Sequence, residues 1–241
     1  MILYVNGDSH AAAAEAVNSH SWAEDDGLYW GLGQQPHPDN ERVSFGCEMA
    51  NWLNAILYLD AQAGGSNARI IRTTRSWLHE QINHADVFVV LQWSTWERQE
   101  WLHEDTWYQV NASGIDTVPL VFAERYRDFV TNTNWDQAQQ QAHDEIWQFH
   151  NELKLNGVRH VMFNGNNHFG KITQTRDWNG CYMSPYDADQ TYDCVLKNNG
   201  FRTVNPNSWH FGANAHCFWA EHVLQYINDN NLIAPNEIRT D

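Results

Sequence analysis

Lysine is nearly absent from this chain. Its 241 residues include three, Lys154, Lys171 and Lys197, and 14 basic residues in all stand against 30 acidic ones. A net charge of −16 repels nucleic-acid phosphates and anionic bilayers, so neither is expected as a partner. Long apolar runs are also missing: none approaches the ~18 to 20 residues of a membrane span. The first residues show no basic stretch followed by an apolar one and a small-residue cleavage site, so no secretory signal is expected. The four cysteines, Cys47, Cys181, Cys194 and Cys217, form no CxxC pair. That spacing excludes a zinc ribbon and a dense disulfide framework. A Cys181–Cys194 bridge is open on sequence alone, but free thiols in a reducing compartment are expected. Internal repeats and low-complexity linkers are absent too.

Tryptophan, by contrast, is plentiful, with 13 residues. Core packing accounts for many of them. Trp22, Trp30, Trp96 and Trp178 lie in polar stretches, where flat rings can stack on sugars or on a partner. Apolar residues make up 42% of the chain, enough for a sizeable core.

Strand-like and helix-like segments alternate. Met1 to Asn6 reads as a buried strand, Ala11 to Val17 as the helix after it, and residues 18–42 as a long polar excursion. Met49, Trp52, Leu53, Ile56 and Leu57 fall on one helical face. "LDAQAGGSN" reads as a brief strand ending in glycines, with Ser66 or Asn67 capping the next helix. Ile70, Ile71, Trp77, Leu78 and Ile82 repeat at helical spacing, and "DVFVVLQ" is a buried strand. Ala138, Ala142, Ile146, Phe149 and Leu153 mark another helix, "VRHVMF" a fourth strand and "FRTV" a fifth. Ala215 to Ile227 forms a strongly amphipathic last helix. The pattern predicts a mostly parallel sheet between two helical layers. In such sheets ligands gather at the carboxyl ends of the strands. Ser9, Gly65, Trp93 to Arg98, Asn164 to His168 and His210 all follow predicted strands.

Gly7-Asp8-Ser9 places a serine at a strand-to-helix elbow. There the hydroxyl is exposed near a positive helix terminus, which suits a nucleophile whose substrate develops an oxyanion. The bland alternative is that Ser9 only caps the alanine helix. "AGGSNARI" offers a glycine and Asn67 after the second strand, and "NPNSWHFGANAH" sets His210 just before the last helix. Together these segments resemble the blocks of the SGNH, or GDSL-type, hydrolase superfamily, in the right order over almost the whole chain. "QWSTWERQE" and "WHFGANAH" are most similar to versions encoded by tailed phages of marine bacteria.

The resemblance implies a three-layer α/β/α sandwich of flavodoxin-like type, with about five strands and one domain over residues 1–241. Long loop insertions fall near 18–42 and 168–199. It implies an esterase acting on a small-molecule or glycan ester, such as a carbohydrate O-acetyl group, with no cofactor and no metal. Ser9 is then the nucleophile, His210 the base, and Asn207 the residue orienting the imidazole. Oxyanion donors are expected at Ser9, Gly65, Asn67 and Trp96, and substrate contacts at Trp93, Arg98, Asn164 and His168.

Two departures stand out. Trp96 occupies the place of the family's block-three asparagine, and Asn207 that of its catalytic acid. These losses support a second reading, a catalytically weak or inactive virion-associated or glycan-binding protein of the same fold, with other phage virion proteins as partners. The expected location is therefore the cytoplasm or the virion. Asp8-Ser9-His10 with "GNNH" at Gly165 to His168 also resembles metallophosphoesterase motifs, but the mid-chain Gly-Asp-x-x-Asp and late Gly-His-x-His are missing. His143 and His150 read as partly exposed surface groups, and His216 as a polar packing residue. Arg98, Glu97 and Glu100 are candidates for an ion-pair brace. "WNGCYMSPYDADQTYD" is either a sugar platform or a loop folded on its own aromatic cluster.

Overall fold

Residues alternate along each central strand and so feed two cores at once. In β1 (Ile2–Asn6), Leu3 and Val5 face one side of the sheet and Tyr4 the other, all fully buried. The structure, a computed structural model, describes residues 1–18, 36–112 and 118–234. Turns follow β1 as far as Asn18, and then come α1 (Pro38–Glu41), α2 (Phe45–Trp52) and β2 (Ile56–Leu59). The chain continues through α3 (Asn67–Glu80) and β3 (Val87–Trp93) into a hairpin of β4 (Arg98–His103) and β5 (Thr106–Asn111). After it run α4 (Ala123–Asn132), α5 (Trp135–Leu155), β6 (Arg159–Asn164), α6 (Tyr192–Asn198) and α7 (Ala213–Asp229).

The central sheet has the order β2-β1-β3-β6, with every pair parallel. Phe88, Val90, Val161 and Phe163 join Leu3 and Val5 under α2, α6 and α7. Val89, Leu91 and Met162 join Tyr4 under α3 and α5. This is the expected α/β sandwich, with four central strands. The chain moves outward from β1 to β2 and then crosses to β3, so the crevice at the carboxyl ends of β1 and β3 is where such a sheet opens for a ligand. No helix among the described residues is long and apolar enough to cross a membrane.

Five local expectations are corrected. Ala11 to Val17 is not a helix but a series of turns, with Ala13 at φ 50° and Glu15 at φ 62°. Alanine's helix preference is a few tenths of a kcal/mol per residue. Here it is outweighed by anchoring: Asn40 Oδ1 accepts the N–H groups of both Val17 and Asn18 at 3.1 Å, and Ala11 to Ala14 are buried. Ser9 therefore has no helix terminus behind it. Ile56 and Leu57 belong to β2, because Asn54 at φ 48° ends the preceding helix. "FRTV" contributes only an isolated bridge from Thr203 to Phe211. His143 and His150 are fully buried, not surface groups.

The fifth is an omission: the β4–β5 hairpin turns through Glu104 and Asp105, both at positive φ (48° and 63°), the geometry of a type I′ turn. Its Trp101 and Val110 pack with Phe122, Tyr126 and Phe129 in a separate small core. The 168–199 segment folds on itself, with Phe169, Trp178 and Tyr182 buried in the core under α5. All four cysteines are free. Trp22 and Trp30, singled out in the sequence, lie outside the described residues.

The turn after β1 leaves no room for a side chain at its first residue. A Cβ on Gly7 would lie 2.6 Å from the Ala11 Cβ and 2.7 Å from Gln92 Oε1. Gly7→Ala is expected to lower the unfolding free energy by about 1–3 kcal/mol, read from urea denaturation midpoints.

Candidate active site

The Gly7-Asp8-Ser9 turn is held from beneath by a buried amide. Gln92, the penultimate residue of β3, accepts the Asp8 N–H at 3.0 Å and the Ala11 N–H at 3.3 Å through Oε1. Its Nε2 donates to the Trp93 carbonyl at 2.8 Å. Asn6 Oδ1 takes the Gly7 N–H at 2.8 Å, and Asp8 Oδ1 takes that of His10 at 3.0 Å. Among the described residues no hydrogen bond takes up the Ser9 hydroxyl or its N–H. Ser9 lines a cleft of about 700 Å³.

His210 lines the same cleft. Its Nδ1 lies 2.8 Å from Glu15 Oε2, with the two side chains 17% and 19% exposed. A carboxylate can only accept, so Nδ1 carries the proton and Nε2 is left as the basic nitrogen. Ser208 donates its hydroxyl to the same Glu15 oxygen and accepts the His210 N–H at 3.0 Å. The loop is pinned again where Val204 donates to the His210 carbonyl at 2.9 Å. Asn207 does not fill the orienting place. It is exposed and donates its backbone N–H to Asn205 Oδ1 at 2.9 Å. The carboxylate beside the imidazole is instead that of Glu15, which reaches it because the chain reverses at Ala13 and does not run on as a helix.

Asp8 is buried in a charge network. Arg98 Nη1 lies 2.7 Å from Asp8 Oδ2, which also accepts from Ser94 Oγ at 2.8 Å. Burial pushes the Asp8 carboxyl up, but Arg98, His10, the His10 amide and Ser94 together hold it below its usual value. His10, beside the nucleophile, stands 5.4 Å from His210 and 5.3 Å from Tyr192, ring to ring. Burial, reinforced by His210 and Arg98 against the pull of Asp8 and Asp193, lowers its pKa to about 4. It is therefore neutral at pH 7 and does not oppose a positive charge forming on His210.

The other expected residues divide. Arg98 lines the cleft. Gly65 donates its N–H to the Gln62 carbonyl at 2.9 Å, so it is not a free oxyanion donor. Asn67 Oδ1 accepts the Ser94 N–H at 2.8 Å, and Asn67 lines, with Trp96, a separate cavity of about 240 Å³. Trp96 stacks on Phe169 at 5.5 Å. Trp93 is buried against Phe149, Asn164 is held by Tyr182 and Pro185, and His168 does not line the cleft. Of the proposed brace, Arg98 pairs with Asp8, whereas Glu100 pairs with Arg72 at 2.6 Å. His216 is buried and accepts the Phe45 N–H at 3.3 Å, as a packing residue does. Thr95, Asn166 and Asn167 line the cleft within the stretches expected at the rim, and Asp193 within the stretch offered as a sugar platform, whereas sequence reasoning missed Glu15, Asn111 and Trp209. "GNNH" was the one signal for the two asparagines.

Burial, with His10 and His210 nearby, also pulls His216 down to about 3. An unfolded histidine titrates near 6.5, so below that pH the unfolded chain binds protons that the folded chain refuses. His10 and His216 each contribute stability that is complete above about 6.5. It falls by about 1.4 kcal/mol per pH unit down to their folded values. The thermal midpoint is expected to drop steeply between pH 6.5 and 4, and less steeply in His216→Gln. A flat profile across that window would contradict the buried neutral imidazoles.

No family model and no curated protein matches the chain. Three solved structures align with most of the chain at low identity. The psychrotrophic esterase EstA of Pseudoalteromonas sp. aligns with a TM-score of 0.47 and 7% identity, over 95% of this chain and 97% of that one. A protein of the G-D-S-L family from Desulfitobacterium hafniense gives 0.46 and 10%, over 94% and 99%. The acetyl xylan esterase Est2A of Butyrivibrio proteoclasticus gives 0.42 and 11%, over 96% of this chain and 64% of that chain.

Proposed function

We propose that the protein is a serine ester hydrolase of the SGNH type with Ser9, His210 and Glu15 as its triad. The observation that carries this reading is the 2.8 Å contact between Glu15 and His210 Nδ1 at the rim of the cleft that Ser9 also lines. His210 Nε2 takes the Ser9 proton as Oγ attacks the ester carbonyl, and then gives it to the departing alcohol oxygen as the C–O bond breaks. Water repeats the sequence on the acyl-serine. Glu15 holds the tautomer and stabilises the imidazolium by charge, a role an asparagine could not fill. The Ser9 N–H is the first oxyanion donor. The side-chain amide of Asn166, which lines the cleft, stands in for the block-three asparagine, while Asn167 Nδ2 donates to Thr95 Oγ1 at 2.8 Å.

The alcohol part of the substrate is proposed to be a carbohydrate, with an O-acetyl group as the acyl part. Thr95, Asn111, Asn166, Asn167 and Asp193 give the cleft the hydroxyl-binding groups a sugar needs, and Trp209, 67% exposed at its edge, offers a ring face. A second reading has its own support: the engaged Gly65 N–H and the stacked Trp96 remove two expected oxyanion donors. It is a binding or virion-associated protein of this fold with no turnover.

Short-chain p-nitrophenyl esters and a fluorophosphonate probe separate the two. Turnover and labelling that vanish in Ser9→Ala are expected. Glu15→Gln should lower kcat by about 10³–10⁴-fold, whereas Asn207→Asp should change it by less than about 2-fold. Absence of both labelling and turnover from about pH 6 to 9 would leave the binding reading.

A further inference from the structure

Far from the cleft, the start of β6 holds a cluster that hydrolysis does not use. One ring nitrogen each of His150 and His160 and the Cys181 sulfur all lie within 4.8 Å of one another. His150 comes from α5, His160 from β6, and Cys181 from a segment tied to β6 by the Met162 N–H donating to the Cys181 carbonyl at 2.7 Å. His160 lies four residues before the carboxyl end of β6, about 13 Å from the catalytic rim at ~3.3 Å per residue.

The proton arrangement in the cluster follows from its partners. His160 Nδ1 lies 2.9 Å from the Val158 carbonyl, which only accepts, so Nδ1 carries the hydrogen and Nε2 is a lone pair. His150 Nδ1, 2.8 Å from that Nε2, must then be the donor. This leaves His150 Nε2 a bare nitrogen, buried and without a partner. Two neutral imidazoles that share one hydrogen bond, and a half-buried thiol whose other contact is the Asn179 carbonyl at 3.8 Å, thus bring three donor atoms suited to one cation together, and the bare Nε2 can take the proton that Nδ1 gives up.

We propose that His150, His160 and Cys181 bind a borderline-soft divalent cation of the zinc class, with a solvent water in the fourth position. Zinc bonds of about 2.0–2.1 Å to nitrogen and 2.3 Å to sulfur put ligand atoms about 3.3–3.6 Å apart. The present separations, from 2.8 Å to within 4.8 Å, bracket that spacing, so small side-chain shifts suffice. On binding, the proton on His150 Nδ1 moves to Nε2, and the Cys181 thiol proton leaves to solvent. Both facing nitrogens and the thiolate then point at the metal. Imidazole and thiolate donors select zinc or cobalt over calcium or magnesium. Bound there, the ion would tie α5, β6 and the 168–199 segment together.

The test uses metal-stripped full-length protein titrated with Co²⁺ and, separately, Zn²⁺. One equivalent of Co²⁺ should produce a thiolate-to-cobalt absorption in the near ultraviolet that Zn²⁺ displaces, and each metal should raise the thermal midpoint. Cys181→Ser should abolish the band and weaken binding about 100-fold, while Cys47→Ser and Ser9→Ala keep both. Circular dichroism confirms that the Cys181→Ser variant is folded, and His150→Asn supplies a second, independent loss. No band, or a band and midpoint shift that survive Cys181→Ser, would overturn the proposal. Neither result bears on ester turnover.

Discussion

A carboxylate from the start of the chain meets an imidazole from its end, and the architecture of the rim follows from that contact. Glu15 can reach His210 only because the segment after Ser9 turns back at Ala13. The reversal is possible because Asn40 takes up the Val17 and Asn18 N–H groups that a helix would have satisfied internally, while Gln92 holds those of Asp8 and Ala11. Burial of Ala11 to Ala14 then brings the turn close against the core. The sheet sets the frame, since β1 and β3 are neighbours and their carboxyl ends deliver Ser9 and the Ser94–Arg98 loop to one place.

Much of this was legible before any coordinates. Continuous apolar runs in "DVFVVLQ" and "VRHVMF" announced central strands buried on both faces, and helical spacing located α3, α5 and α7. Gly-Asp-Ser and the histidine ahead of the last helix marked Ser9 and His210. What was not legible depends on contacts distant in sequence. An alanine run reads as a helix from local propensity, yet tertiary hydrogen bonds override it. The acid was therefore sought three residues before the histidine, where the family keeps it, and not at Glu15. The hairpin was missed for another reason: its turn is Glu104-Asp105, without the glycine or asparagine that usually marks positive φ.

Electrostatics divide the molecule into two kinds of buried polar site. At the rim, Asp8 and Arg98 neutralise each other, and Glu15 stands ready to balance a charge on His210. At the opposite end of β6, His150, His160 and Cys181 share one hydrogen bond among them, and Asp177 and Lys154 act on His150 with opposite sign. One environment is built to accept a proton in passing; the other is arranged around lone pairs.

Ser9 and Glu15 travel together on one short stretch of chain, while His210 arrives on a loop fastened by Thr203–Phe211 and Val204–His210. Whatever lifts that loop takes the imidazole away from Glu15 and from the cleft wall that Ser9 lines in one stroke.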